Sequence, residues 1–264
     1  MSRRHDVDEL VLVAYSSDLE GARWLLERVV GDPPTAVSDA LLVGDGRWWS
    51  LTCPAGCCPD EGRLYDLGGH PLAAEAIYAG LSAEGDRSVL ARQVGGPPGA
   101  EEPQLLALLD AVRQRTASLP PEAATRLVVE TVRRLRTGAG PVEDADCLLL
   151  AVLVEDLVVR DVAWVMMTRE DSDDDLRLWG RVVARAPQVV AAGPLGLLGA
   201  AAWISGNGAL QNCCVERLEQ IAPSYTLGAV LADISERALP PSAWDDMAED
   251  LRQEVYPAAL AGLR

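Results

Sequence analysis

Three thiols lie within six residues, in the order Cys53-x3-Cys57-Cys58. Thiolates at such spacing can share a Zn²⁺ ion at about 2.3 Å, with His70, Asp60, Glu61 or water as the fourth ligand. The candidate metal set is therefore Cys53, Cys57, Cys58 and His70, and zinc is the cofactor it would hold. The spacing is not C-x2-C and no second ligand pair follows, so small packed cysteines in a tight loop remain the plain reading. Redox chemistry would need a depressed thiol pKa, for which Arg47 or Arg63 are the cations at hand.

The rest of the chemistry is defined by what is missing. All 23 basic residues are arginine, and phenylalanine is also absent. A GC-rich genome accounts for both. The chain cannot build a phosphate-loop lysine, a Schiff base or a Ser-Lys dyad. With only His5 and His70 it cannot build H-E-x-x-H, and any Ser-His triad would need His70. Gly44-Asp-Gly46 and Gly206-Asn-Gly208 lack the third glycine of a dinucleotide fingerprint and read as turns. No complete catalytic motif is present. Catalytic and cofactor-binding residues stay unassigned, and the balance favours a protein that is not an enzyme.

The net charge of −17 is spread along the chain, with 6 Arg against 12 acids in residues 1–70 and the remaining excess beyond. Nucleic acid is disfavoured, because neutralising phosphates needs a basic face. Arg133, Arg134 and Arg136 are the one local cluster, read as a solvated helix face. Asp171 to Asp175 read as a helix cap, and Arg160-Asp161 with Glu155-Asp156 as a buried ion network. No secretory leader is visible at the start, so a cytoplasmic protein with reduced thiols is expected. The 30 uncharged residues Ala186–Val215 contain two prolines and five glycines, which favours a buried helical hairpin over a membrane span.

These residues need elements to position them. Glu9–Tyr15 reads as a strand buried on both faces. Ser17-Asp-Leu-Glu20 reads as a capping box opening a helix. Asp39–Val43 and Arg47–Cys53 pair across an Asp45-Gly46 turn, and Pro71–Leu81 is a further helix. Gly95-Gly-Pro-Pro-Gly99 is the expected linker. Beyond it the periodicity is helical: around 105–112, from Pro121 to Arg136, and from Glu143 to Met167 as two helices broken near Val158–Arg160. A helix capped by Ser172 follows, then helices near 195–205, 209–221, 225–237 and 242–254.

The expected fold class is α/β or α+β. A small β-α-β-β part (residues 1–94) and a linker (95–100) precede a larger all-helical part (101–264). Leu198-Gly199, Gly206 and Pro223 match the cadence of one tetratricopeptide (TPR) repeat, so the hairpin reads as TPR-like or as an ordinary αα-hairpin. The functional expectation is an interaction or regulatory protein that uses a helical surface. Its partner would be another protein or a second copy, with no membrane. The alternative is a metal- or thiol-dependent enzyme or sensor on the cysteine loop.

Asp45-Gly-Arg-Trp-Trp-Ser-Leu-Thr-Cys53 with Cys57-Cys-Pro-Asp-Glu-Gly62 resembles the hallmark of the actinobacterial domain-of-unknown-function family 4192. Arg160-Asp-Val-Ala-Trp164, Leu176-Arg-Leu-Trp179, Ala202-Trp-Ile-Ser-Gly-Asn-Gly-Ala209 and Glu216-Arg217 are similar to it as well, so the resemblance spans residues 8–240. It implies a GC-rich actinobacterial host and no activity. It also implies a further N-terminal portion before Glu9, expected to be missing here because the sequence opens close to that strand.

Overall fold

Side-chain alternation sets the first element, β1 (Glu9–Tyr15). The computed structural model describes residues 8–33, 35–53, 58–66, 87–136 and 142–252. Leu12 and Ala14 pack on the small core, whereas Val11, Val13 and Tyr15 are 59%, 44% and 79% exposed. The strand is therefore buried on one face, not two. It is the first strand of the order β1-β2-β3-β4 and, among the described residues, pairs with β2 alone.

Helix α1 (Leu19–Gly31) follows. Its cap is Asp18, whose carboxylate accepts the Gly21 N–H at 3.0 Å. Ser17 is not the cap; the preceding Ser16 hydroxyl accepts the Asp18 N–H instead. Strand β2 (Ala36–Gly44) runs parallel to β1, as the intervening helix requires. Strand β3 (Arg47–Ser50) returns antiparallel, and β4 (Arg63–Leu64) adds to it. Asp45 and Gly46 both have positive φ, 50° and 71°, the signature of the tight turn their sequence predicts. Leu26, Leu42 and Trp49 form the core beneath the sheet.

The chain divides into two compact units, Met1–Ala83 and Glu84–Arg264. The second is helical throughout its described residues. It contains α2 (Arg87–Gln93), α3 (Glu102–Thr116), α4 (Pro121–Arg136), α5 (Asp144–Leu153), α6 (Leu157–Val165) and α7 (Ser172–Arg185). A 3-10 turn at Gln188–Val190 leads to α8 (Ala192–Ile204), α9 (Gly208–Ile221), α10 (Thr226–Glu236) and α11 (Ala243–Asp250). Leu90 and Val94 sit in the helical core, so Gly95–Gly99 is a connection inside this unit. The expected helix over Pro71–Leu81 lies outside the described residues.

Local chemistry explains the helix ends. Pro121 occupies the first position of α4, where its missing N–H costs nothing. The 143–167 helix breaks at Val154–Asp156 rather than near Val158–Arg160, because the Asp156 carboxylate caps the Val158 and Val159 N–H groups. Asp171, not Ser172, is the residue preceding α7, and the Ser172 hydroxyl donates back to the Arg169 carbonyl.

Helix α8 is the axle of the unit. Every residue from Gly193 to Ile204 is buried. The uncharged run is thus the 3-10 turn, α8 and the first half of α9, parted by Gly206 at φ 82° and by the Asn207 cap on Leu210. Among the described residues no helix is long and apolar enough to cross a membrane.

Candidate functional site

The Trp-Trp-Cys segment builds a braced corner of the small sheet. Alternation on β3 turns Trp49 into the core and Ser50 to the other face. Ser50 and Thr52 both donate to one Asp39 oxygen at 2.7 Å. Those two hydroxyls hold the Asp39 carboxyl below its ordinary range. Trp49 Nε1 donates to the Asp60 carbonyl at 3.0 Å, and Arg47 donates to the Glu61 and Gly62 carbonyls at 3.1 Å. Gly62 has φ 77°, and a Cβ there would lie 2.4 Å from the Trp49 ring. Arg63 stands 5.8 Å from the Trp48 ring centre. The motif residues thus clamp the backbone at Asp60, Glu61 and Gly62, just beyond Cys58.

Of the candidate metal set, Cys53 and Cys58 are half-buried at the strand end and in the loop. The Ser50 N–H points at Cys58 Sγ at 3.5 Å. Cys57 and His70 lie outside the described residues. Among the described residues no group of three or more His, Cys, Asp or Glu is placed to hold a metal ion. The other thiols are packed away: Cys147, Cys213 and Cys214 are buried. Burial pushes Cys147 up to about 12 and raises Cys214 as well, which makes both poor nucleophiles.

The helical motifs that carry the resemblance also prove to be framework. Arg160, 5% exposed, bonds Asp161 at 2.7 Å and lies 5.2 Å from the Tyr225 ring centre. Trp164 stacks on Trp244 at 5.2 Å, and Trp203 meets the same ring edge-on at 6.1 Å. Arg136 is not on a solvated face. It reaches Asp175 at 2.7 Å and the Met166 carbonyl, while Arg134 pairs with Asp146. Asp175 is fully buried, and its second oxygen has no hydrogen-bond partner among the described residues. Burial outweighs Arg136 there and pushes its carboxyl up to about 6.

Between α9 and α10 a surface hollow of about 310 Å³ opens. Its floor includes Val215, Leu218, Ala222, Gly228 and Ala229, and its rim carries Glu219, Asp233 and Glu236. The lining holds three acids and no base. Asp233 is engaged by Arg237 at 2.6 Å, whereas no hydrogen bond or ion pair engages the Glu219 or Glu236 side chain among the described residues. Gly228 brings the helices close, since a Cβ there would stand 3.3 Å from Leu218. Sequence periodicity located both helices but not the hollow, which arises only where they cross.

The family model described as Domain of unknown function (DUF4192) matches residues 1–242 of the chain. No curated protein and no solved structure matches it.

Proposed function

Starting from the fact that the chain belongs to the DUF4192 family, a domain of unknown function, we propose that it is a non-catalytic interaction protein of the cytosol whose α9–α10 hollow receives a basic, apolar-anchored segment of a partner protein. The observation that carries this is the hollow itself, an apolar floor under an acidic rim. Helix-in-groove recognition uses this arrangement: apolar anchors give affinity, and rim charges steer approach. Helices α8 and α9 then serve as a TPR-like hairpin with α10 stacked beside it. The overall negative charge works in the same direction.

The test is titration with a helix-forming peptide carrying Leu on one face and Arg on the other. Binding should weaken with salt and in Glu219→Gln/Glu236→Gln. It should be lost in Ala229→Trp, which fills the hollow from an exposed position. Equal binding by all three proteins would sink the proposal, as would self-association that leaves the hollow accessible to no peptide.

A second reading, a thiol- or zinc-dependent sensor on Cys53, Cys57, Cys58 and His70, is favoured by the Ser50 N–H directed at Cys58 Sγ. Metal analysis of protein purified without an affinity tag decides it: below about a tenth of an equivalent of zinc, with thiols reacting at ordinary rates, this reading is abandoned.

A further inference from the structure

A smaller hollow in the helical unit, about 150 Å³, is lined by Glu102, Gln188 and Arg217. It lies where the Gly95–Pro97 connection, the start of α3, the end of α7, α8 and α9 meet. Val94, Val183 and Leu195 also line it, and all three are buried core residues. That wall is held by packing and needs no rearrangement to exist.

The charges are unusual for this protein. Elsewhere its enclosed arginines are matched to acids: Arg136 to Asp175, Arg160 to Asp161, Arg185 to Asp144 and Glu101. Glu101 is spent on Arg185, but its neighbour Glu102 lines the hollow with no side-chain partner among the described residues. Arg217 has one, the Gln220 side-chain oxygen at 3.1 Å, which leaves most of its donors unused. Opposite charges thus share one small hollow without an ion pair between them.

We propose that this hollow binds a free aliphatic α-amino acid. Its carboxylate would meet the Arg217 fork, its ammonium would meet Glu102, and its side chain would lie on Val94, Val183 and Leu195. A simple anion would face the Glu102 carboxylate, and a simple cation would face Arg217; only a zwitterion suits both. The space equals about five waters and falls well under the ~300 Å³ where drug-sized pockets begin. Carboxylate and ammonium must therefore lie close together on one small molecule. This site shares no lining residue with the α9–α10 hollow, so the proposal stands apart from the function proposed above.

The experiment is calorimetric titration of the full chain with leucine, valine and alanine, and in parallel with leucinamide and N-acetyl-leucine. Leucine or valine should bind, and each blocked analogue should bind at least about tenfold more weakly, the loss expected for one charge-assisted contact. Arg217→Gln and Glu102→Gln should each weaken binding to the same degree. No heat and no rise in melting temperature with any amino acid up to about 10 mM would overturn the proposal. So would blocked analogues that bind as well as leucine, a comparison made on the unmutated protein and so independent of how the variants fold.

Discussion

Asp175 is a carboxylic acid whose burial changes its chemistry. Its folded carboxyl titrates at about 6, above an ordinary value of 3.8. Between those two pH values the folded state holds the extra proton, so stability is greater below about 4 and falls as pH rises toward 6. The shift corresponds to at most ~3 kcal/mol. Asp175→Asn should remove that step: the difference in unfolding free energy between wild type and variant, measured by denaturant titration, should move toward the variant's favour from pH 4 to pH 7 and then level off. Gly62→Ala acts at the braced corner. A positive φ costs a non-glycine residue roughly 1–2 kcal/mol, and the added methyl meets the Trp49 ring. The loop should loosen, and Cys58 should react faster with a thiol reagent, read by mass spectrometry. At this scale the sequence was partly legible. Arg160-Asp161 amid apolar helix announced an ion pair, since a buried charge demands a partner, but Glu155 and Asp156 do not join it: Glu155 pairs with Arg113 at the surface and Asp156 caps α6. Asp39 announced nothing, because its partners Ser50 and Thr52 reach it only through the β2–β3 register. Glu102 and Arg217 were silent for the same reason, being more than a hundred residues apart in the chain.

Among elements, the helices were legible from their periodicity, and their ends less so. Caps are chosen by geometry among adjacent candidates: Asp18 over Ser17, Asp171 over Ser172, Asp156 over a break further on. Strand β1 misled for a different reason. A continuous apolar run fits burial on both faces, yet the exposure of Val11, Val13 and Tyr15 shows only one face covered. The glycines of α8 let neighbouring helices approach it closely. A Cβ on Gly193 would lie 2.8 Å from the Val154 carbonyl oxygen, a backbone atom that cannot swing aside. Gly193→Ala should therefore lose about 1–3 kcal/mol by overpacking, more than the ~1 that alanine gains in a helix. Gly180, in α7, has nothing within 4 Å of the same position. Gly180→Ala should stabilise the protein by up to ~1 kcal/mol in the same denaturation assay.

For the molecule as a whole, composition foretold the two-part division of labour, with strands confined to the front and helices after. It did not foretell that four of the seven tryptophans would serve one core, with Trp164 and Trp203 both meeting the Trp244 ring across helices that are distant in sequence. That core is arranged around α8, and the order in which the chain leaves the ribosome makes this consequential. Helix α8 carries no charge, and the side chains that close over Gly196 and Gly199 come from later residues: Tyr225 and Leu227 on one, Cys214 and Leu231 on the other. Until those residues have been synthesised, the growing chain exposes its most apolar segment to the crowded cell, the condition under which partly made domains aggregate. A chain stopped after Ser205 should accumulate as insoluble protein or bound to chaperones, whereas one stopped after Asp250 should stay in the soluble fraction. The helix that is safest in the finished protein is the most hazardous during its manufacture.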